Sequence, residues 1–125
     1  MRLEEQAHPG SLLVQGYGDG GFRIGGARHE GSVLILPDGV HPWPVSSPDQ
    51  ITLEQLEPAL GLDLAIDVLL VGCGPTMAPV SPDIARTLRD AHGIGIDCMD
   101  TGAACRTFNV LVLDGRQVGA ALIAI

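Results

Sequence analysis

No lysine occurs in the 125 residues; all seven basic side chains are arginine. That absence removes lysine Schiff-base chemistry and the phosphate-binding lysine of nucleotide hydrolases together. Aromatic residues are equally scarce, at 3% of the chain, so an apolar fraction of 46% has to pack as an aliphatic core. Positive charge is short as well: 15 acidic residues against 7 basic leave a formal charge of −8. Without a Lys/Arg cluster there is nothing to release counterions from nucleic acid, and the same repulsion opposes an anionic membrane surface. Cysteine is limited to Cys73, Cys98 and Cys105, an odd number without C-x-x-C spacing. A secreted disulfide framework and a four-ligand zinc site are therefore not expected. The four histidines, His8, His29, His41 and His92, form no H-x-x-x-H pair, no G-x-S-x-G turn is present, and no metal site is expected. No run approaches the ~20 apolar residues of a membrane span. Met1 to Gln6 is acidic, unlike a signal peptide or an Arg-rich transit sequence, and the expected location is cytoplasmic.

What is present reads as alternating strands and helices. A chain of this length buries roughly two-thirds of its unfolded surface and needs no metal or cross-link to fold. Residues 1–10 are expected to be flexible, and residues 11–125 to form a single α/β domain. From Ser11 to about Val45, short strands are separated by glycine-rich turns. Asp19-Gly20-Gly21 and Pro37-Asp38-Gly39 are hairpin turns, and Ser32 to Leu36 has the length of a buried strand. The prolines of His41-Pro42-Trp43-Pro44 confine that extended stretch to a sheet edge. Thr52 and Gln55 form a capping box for a short helix through Leu60. Ala65 to Val71 is a nearly continuous apolar run ending at Gly72, suited to a strand covered on both faces. Ser81-Pro82-Asp83 opens a helix that His92-Gly93 ends. Ile94 to Met99 is the next strand, joined by a right-handed parallel crossover. Asp100 or Thr101 then caps a helix to about Leu113, and Val118 to Ile125 closes the chain as a strand.

The segments that carry chemistry lie at the strand ends. Gly72-Cys73-Gly74 leaves a central strand where dinucleotide folds place glycines. The third glycine is missing and Pro75 removes a donor, so a glycine-permitted tight exit is the better account. Asp100 serves as a helix cap or, given a partner, as a general acid or base; no histidine lies near it in sequence, and the cap is favoured. Cys105 falls in the first turn or so of the helix, where the helix dipole and Arg106 would lower a thiol pKa. Burial as a small apolar group is the commoner fate of a free cysteine. An approach of Cys73 to Cys105 is conceivable from strand and helix order. Arg106 and Asn109 share a helix face; Arg106 either binds a carboxylate or, by preference, pairs with Asp67 or Asp97.

Gly18-Asp19-Gly20-Gly21-Phe22-Arg23-Ile24-Gly25-Gly26, the strand into Gly72-Cys73-Gly74, and Met99-Asp100-Thr101-Gly102-Ala103-Ala104-Cys105-Arg106-Thr107-Phe108-Asn109-Val110-Leu111 together resemble one small family. It is a domain of unknown function of bacteria and archaea, represented also in mitochondrial complex I assembly factor 3 and a vertebrate adipogenesis-associated protein. The resemblance spans about residues 12 to 125. It implies a three-layer α/β fold: a central mixed, mostly parallel sheet with helices on both faces and an N-terminal β-rich portion on one of them. It implies no established enzymatic activity and no cofactor. Cys73 stands where related sequences often carry threonine, which argues against a catalytic thiol.

Two functions follow as expectations. The first is a non-enzymatic interaction or assembly domain with a protein partner, related to assembly of the respiratory NADH dehydrogenase (complex I). Its contact region would be the groove around Gly72, Cys73, Gly74, Thr76, Asp100, Thr101, Cys105, Arg106 and Asn109, with a Trp43 edge as a second candidate. The second is a small anionic-ligand binder or thiol-dependent enzyme using Asp100 to Arg106. An edge at Val118–Ile125 would allow a homodimer.

Overall fold

The computed structural model describes residues 12–61 and 64–125, so the expectation for residues 1–10 lies outside the described residues. Ten elements organise the chain: β1 Val14–Gly18, β2 Gly21–Ile24, β3 Ala27–Glu30, β4 Val33–Leu36, β5 Gly39–Pro42, β6 Val68–Gly72, α1 Pro82–His92, β7 Gly95–Met99, α2 Thr101–Leu113 and β8 Val118–Leu122. Strands β1, β2 and β3 make a small antiparallel meander, and the other five form a sheet in the order β5-β4-β8-β6-β7. In that sheet β4 is antiparallel to β5 and to β8, whereas β6 is parallel to β7 and β8. The sheet is mixed as expected, but it is not mostly parallel.

The local signals behave as their chemistry requires. Asp19 and Gly20 take positive φ angles of 55° and 78° at the β1–β2 turn, the left-handed pair a two-residue hairpin needs. Ser81 accepts a hydrogen bond from the Asp83 N–H and Pro82 occupies the first turn of α1; Gly93 closes it at φ 68°. The capping box at Thr52 forms in part: the Gln55 N–H reaches Thr52 Oγ1 at 3.3 Å, but the segment Glu54–Leu60 winds as 3-10 helix, with Pro58 inside it. Trp43 is buried rather than exposed on its edge, and its indole N–H donates to the Gln55 carbonyl at 2.9 Å.

One expectation is reversed. Val118–Ile125 supplies no edge: β8 lies between β4 and β6 and is buried along its whole length. The N-terminal strand β4 claims its outer side, so the edges are β5 and β7 and no dimer can form through β8. The sequence Val118-Gly119-Ala120-Ala121-Leu122 suits that central place, because small side chains let packing elements approach both faces.

The chain runs from β6 to its neighbour β7 through α1, then back past β6 to β8 through α2. Connections of one hand that run in opposite directions put their helices on opposite faces. The two apolar cores follow. Leu34, Leu69, Val71 and Ala121 pack with Ile84 and Leu88 of α1; Ile35, Leu70, Ala120 and Leu122 pack with Ala104, Phe108 and Val112 of α2. The β1–β3 meander joins the second core through Val14, Phe22 and Ile24. One layer is therefore helix plus β-structure, and the other is α1 with the 3-10 turns.

At Gly72 the start of α2 packs directly on the sheet. A Cβ there would lie 3.0 Å from the Thr101 Cα and 3.0 Å from Leu122 Cδ2. The Leu122 methyl can shift, but the helix backbone cannot shift cheaply. Gly72→Ala is expected to lower stability by about 1–3 kcal/mol, seen as a lower urea midpoint with an unchanged denaturant slope.

Candidate functional site

Where β6 sends its chain to one face and β7 sends its chain to the other, an α/β sheet ordinarily opens a crevice at the carboxyl ends of its strands. Gly72 to Thr76 and Asp100 to Thr101 border that place here. It is stitched shut. The Thr101 side chain is completely buried; its hydroxyl donates to the Ile123 carbonyl at 2.7 Å and accepts the Gly74 N–H at 2.9 Å. The Thr101 N–H donates in turn to the Gly74 carbonyl at 2.9 Å, and the Ile123 N–H to Gly72 at 2.9 Å. One residue thus joins the exits of β6 and β8 to the start of α2. Gly74 sits at φ 100°, a conformation that the residue after Cys73 adopts cheaply only as glycine.

Asp100 is the cap. Its carboxylate accepts the Ala103 N–H at 2.8 Å and its carbonyl the Ala104 N–H at 2.9 Å. With the Thr101 N–H also committed, two of the four N–H groups that a helix start leaves unpaired are already engaged, and a carboxylate stands among them. That arrangement satisfies the helix end and leaves little for an incoming anion. Tyr17, which the sequence reading did not single out, lies over Gly102: a Cβ there would meet the phenol oxygen at 2.6 Å. Only the pairing of β1 with β2 and its packing on α2 bring Tyr17 here, a long-range effect no local pattern reports.

The remaining candidates separate. Asn109 grips the first strand, accepting the Val14 N–H at 2.9 Å and donating to the Val14 carbonyl at 2.8 Å. Arg106 is exposed and, among the described residues, forms an ion pair with neither Asp67 nor Asp97. Thr76 is exposed in the loop after β6. Cys73 is buried in the α1-side core, its thiol 2.9 Å from the Ala78 carbonyl. Cys105 is buried in the α2-side core, so the two thiols lie on opposite faces of the sheet and the approach conceived from sequence does not occur. Burial pushes the Cys105 thiol up to about 12; Arg106 pulls it down, but by less. Desolvation outweighs the helix dipole, so the lowering expected from the position of Cys105 does not occur.

The surface at this end of the sheet is partly apolar. Tyr17 is 43% exposed beside α2, Met77 62% exposed in the loop after Gly74, and Ile125 38% exposed beyond β8. The Ile125 carbonyl takes the Gly20 N–H of the β1–β2 turn at 2.9 Å. Beside Ala124, a shallow hollow of about 380 Å³ is bordered by Ser32, Trp43, Val45 and Gln50. Among the described residues no group of three or more His, Cys, Asp or Glu side chains is placed to hold a metal, and no helix is long and apolar enough to cross a membrane.

Residues 14–123 match the model of a family described as protein of unknown function, DUF498/DUF598. The chain belongs to the DUF498/DUF598 family. Among relatives, it is 35% identical to NADH dehydrogenase [ubiquinone] 1 alpha subcomplex assembly factor 3 of Bos taurus, over 98% of this chain and 66% of that protein. It therefore spans about two-thirds of the length of that assembly factor. An uncharacterised Rhodobacter capsulatus protein is 36% identical over 98% of this chain and 93% of its own length. Among solved structures, a Bartonella henselae protein described as an outer membrane protein superposes with a TM-score of 0.83 at 37% identity, covering 93% of this chain and 97% of that one. A Bordetella pertussis protein described as a Mth938-like domain superposes at 0.79 with 34% identity, covering 98% and 92%. The DUF498/DUF598 fold is thus the mixed α/β architecture that the glycine motifs and the α2 segment resemble.

Two outcomes test this geometry. Thr101→Val would leave the Gly74 N–H and the Ile123 carbonyl buried without partners, at a cost of about 2–5 kcal/mol; Thr101→Ser, keeping the hydroxyl, should cost no more than about 1.5 kcal/mol. Urea denaturation of the two variants separates the hydroxyl from the methyl. Cys105 predicts a pH effect of definite sign. An unfolded thiol ionises near 9 and the folded one near 12, so its contribution is complete below pH 9 and is lost as pH rises toward 12. Replacing it with alanine should flatten the fall of stability with pH in that window, by at most about 1.4 kcal/mol per pH unit.

Proposed function

We propose that this chain is a non-enzymatic assembly domain that binds a protein partner through the carboxyl end of its central sheet, in the service of NADH dehydrogenase (complex I) assembly. The observation that carries the reading is the contrast at that end: its buried polar groups are satisfied internally, while Tyr17, Met77 and Ile125 stand exposed around it. A catalytic or ligand-binding crevice needs convergent polar groups that are free to act. Here Thr101, Asp100 and Asn109 are occupied in holding the fold. Exposed aromatic and methionine side chains in a polar surround suit a protein contact instead.

Relatives named as complex I assembly factors support the choice of target. The chain's formal charge of −8 adds that the partner surface should be neutral or basic, since an acidic one would be repelled. Of the candidate residues, Thr76 and Arg106 are the exposed polar ones and would lie at the rim. Gly72, Cys73, Gly74, Thr101, Cys105 and Asn109 act by shaping the surface from beneath. The partner's identity as a protein, the cytoplasmic location and the action of residues 11–125 as one domain all belong to this proposal.

Affinity capture of the tagged full chain from its native host tests it. A stoichiometric protein partner should be recovered, and replacing Tyr17, Met77 and Ile125 together by serine should weaken its retention at least tenfold. The host lacking the chain should lose membrane NADH dehydrogenase activity. A partner held equally well by the triple variant would overturn the surface, and full NADH dehydrogenase activity without the chain would overturn the target.

A further inference from the structure

The two helices present different surfaces to solvent. The outward face of α1 is charged: Arg86 pairs with Asp83 at 2.8 Å and Arg89 with Asp90 at 3.3 Å, and all four side chains are exposed. A helix packed by one face on a sheet ordinarily carries charge on the other. The outward face of α2 departs from that pattern. Ala103, Arg106, Thr107, Val110, Leu113 and Asp114 recur at intervals of three and four, the stripe turned away from the sheet. Val110 is 59% and Leu113 67% exposed, and the small Ala103 and Thr107 are partly buried beside them. Charge on the stripe is confined to Arg106 and Asp114, both exposed and, among the described residues, in no ion pair. The stripe runs away from the sheet-end surface proposed above and shares only Arg106 with it.

We propose that a second copy of the chain docks on this face of α2, as an antiparallel two-fold dimer centred on Val110. Arg106, Val110 and Asp114 form one row at four-residue spacing, with opposite charges about 6 Å along the axis on either side of Val110. Helices commonly cross with such rows aligned. A two-fold axis at Val110 then sets Arg106 of each copy against Asp114 of the other, and Val110 against Val110. The same operation brings Leu113 to the small Thr107 of the second copy, where a larger side chain has room. A two-fold contact needs a patch complementary to itself, and a row of cation, apolar group and anion meets that condition. A parallel pairing would oppose like charges at both ends. Burial of Val110 and Leu113 supplies the attraction; the exposed ion pairs add little energy and fix register and direction. The formal charge of −8 opposes approach at long range, but physiological salt confines that repulsion to about 8 Å. With α2 13 residues and about 20 Å long, the contact belongs to the small, reversible class.

Sedimentation velocity of the full chain at physiological ionic strength, from micromolar to millimolar concentration, tests the dimer. The native 13.0 kDa chain should pass from monomer to dimer as concentration rises. Val110→Asp, Arg106→Asp and Asp114→Arg should each raise the dissociation constant at least tenfold. These side chains are exposed, so circular dichroism should show each variant folded. Mixing equal amounts of R106D and D114R restores both opposite-charge pairs across the two-fold, and the mixture should associate within threefold of the native chain. A native chain that stays monomeric throughout, whether a different protein or its own residues 1–11 cover α2, would overturn the proposal. So would a dimer indifferent to Val110→Asp, or single-charge variants that are not rescued by mixing. Partner capture is read through Tyr17, Met77 and Ile125, so this inference and the proposed function fail separately.

Discussion

The hydroxyl of Thr101 holds together the end of the molecule where function is proposed. It is buried, it uses one donor and one acceptor, and both partners are backbone groups of separate strand exits, Ile123 and Gly74. Without it, two polar groups would lie in an apolar interior with no water to meet them, a loss larger than one hydrogen bond contributes when formed. The neighbouring features depend on this contact. Gly72 is glycine because Thr101 sits on it, and Gly74 is glycine because the chain must turn left-handed to present its N–H. Asp100 caps the helix that Thr101 begins. The most distinctive stretch of sequence, Met99 to Asn109, is thus distinctive first for structural reasons.

A second constraint acts through the central strand. Because β8 is built from Gly119, Ala120 and Ala121, its two faces leave room for larger neighbours. Leu36 and Ile66 come within 3.2 Å of where a Gly119 Cβ would stand, and Ala104 and Phe108 of α2 close over Ala120 from the other side. The scarcity of aromatics is consistent with this packing, since thin layers filled by Leu, Ile, Val and Ala need little volume per position. Asn109 then extends the α2 layer sideways by binding both backbone groups of Val14, tying the β1–β3 meander to the helix.

Features set by near neighbours in the chain were legible in the sequence. Asp100 and Ser81 as caps, Asp19-Gly20 as a hairpin turn, and the prolines holding β5 to an edge each depend on contacts within a few residues. What escaped depended on strand order. Val118–Ile125 has the same local pattern whether it is an edge or a centre, and only pairing with β4, more than eighty residues earlier, decides between them. That pairing also made the sheet less parallel than expected. The misjudged thiols have the same origin. Cys73 and Cys105 are near in topology but on opposite faces, because the run of α2 back past β6 reverses the side. Tyr17 was missed since nothing near it in sequence signals that a phenol will cover Gly102.

Residue types suited to chemistry, a cap carboxylate, a first-turn thiol and a nearby arginine, gather where α/β proteins place their ligands. Yet the same types at a helix start are what a protein needs to end a helix inside an apolar layer, and the geometry assigns most of them to that task. The carboxylate is engaged with Ala103, desolvation keeps the thiol protonated, and the hydroxyl is shared between two strands. The buried polar groups at this end of the sheet are turned inward, while Tyr17, Met77 and Ile125 stand exposed together with Thr76 and Arg106, and the proposed contact would be made by that surface. Recognition by such a surface rests on fit and apolar burial, and it requires the rigidity that the buried Thr101 contact supplies.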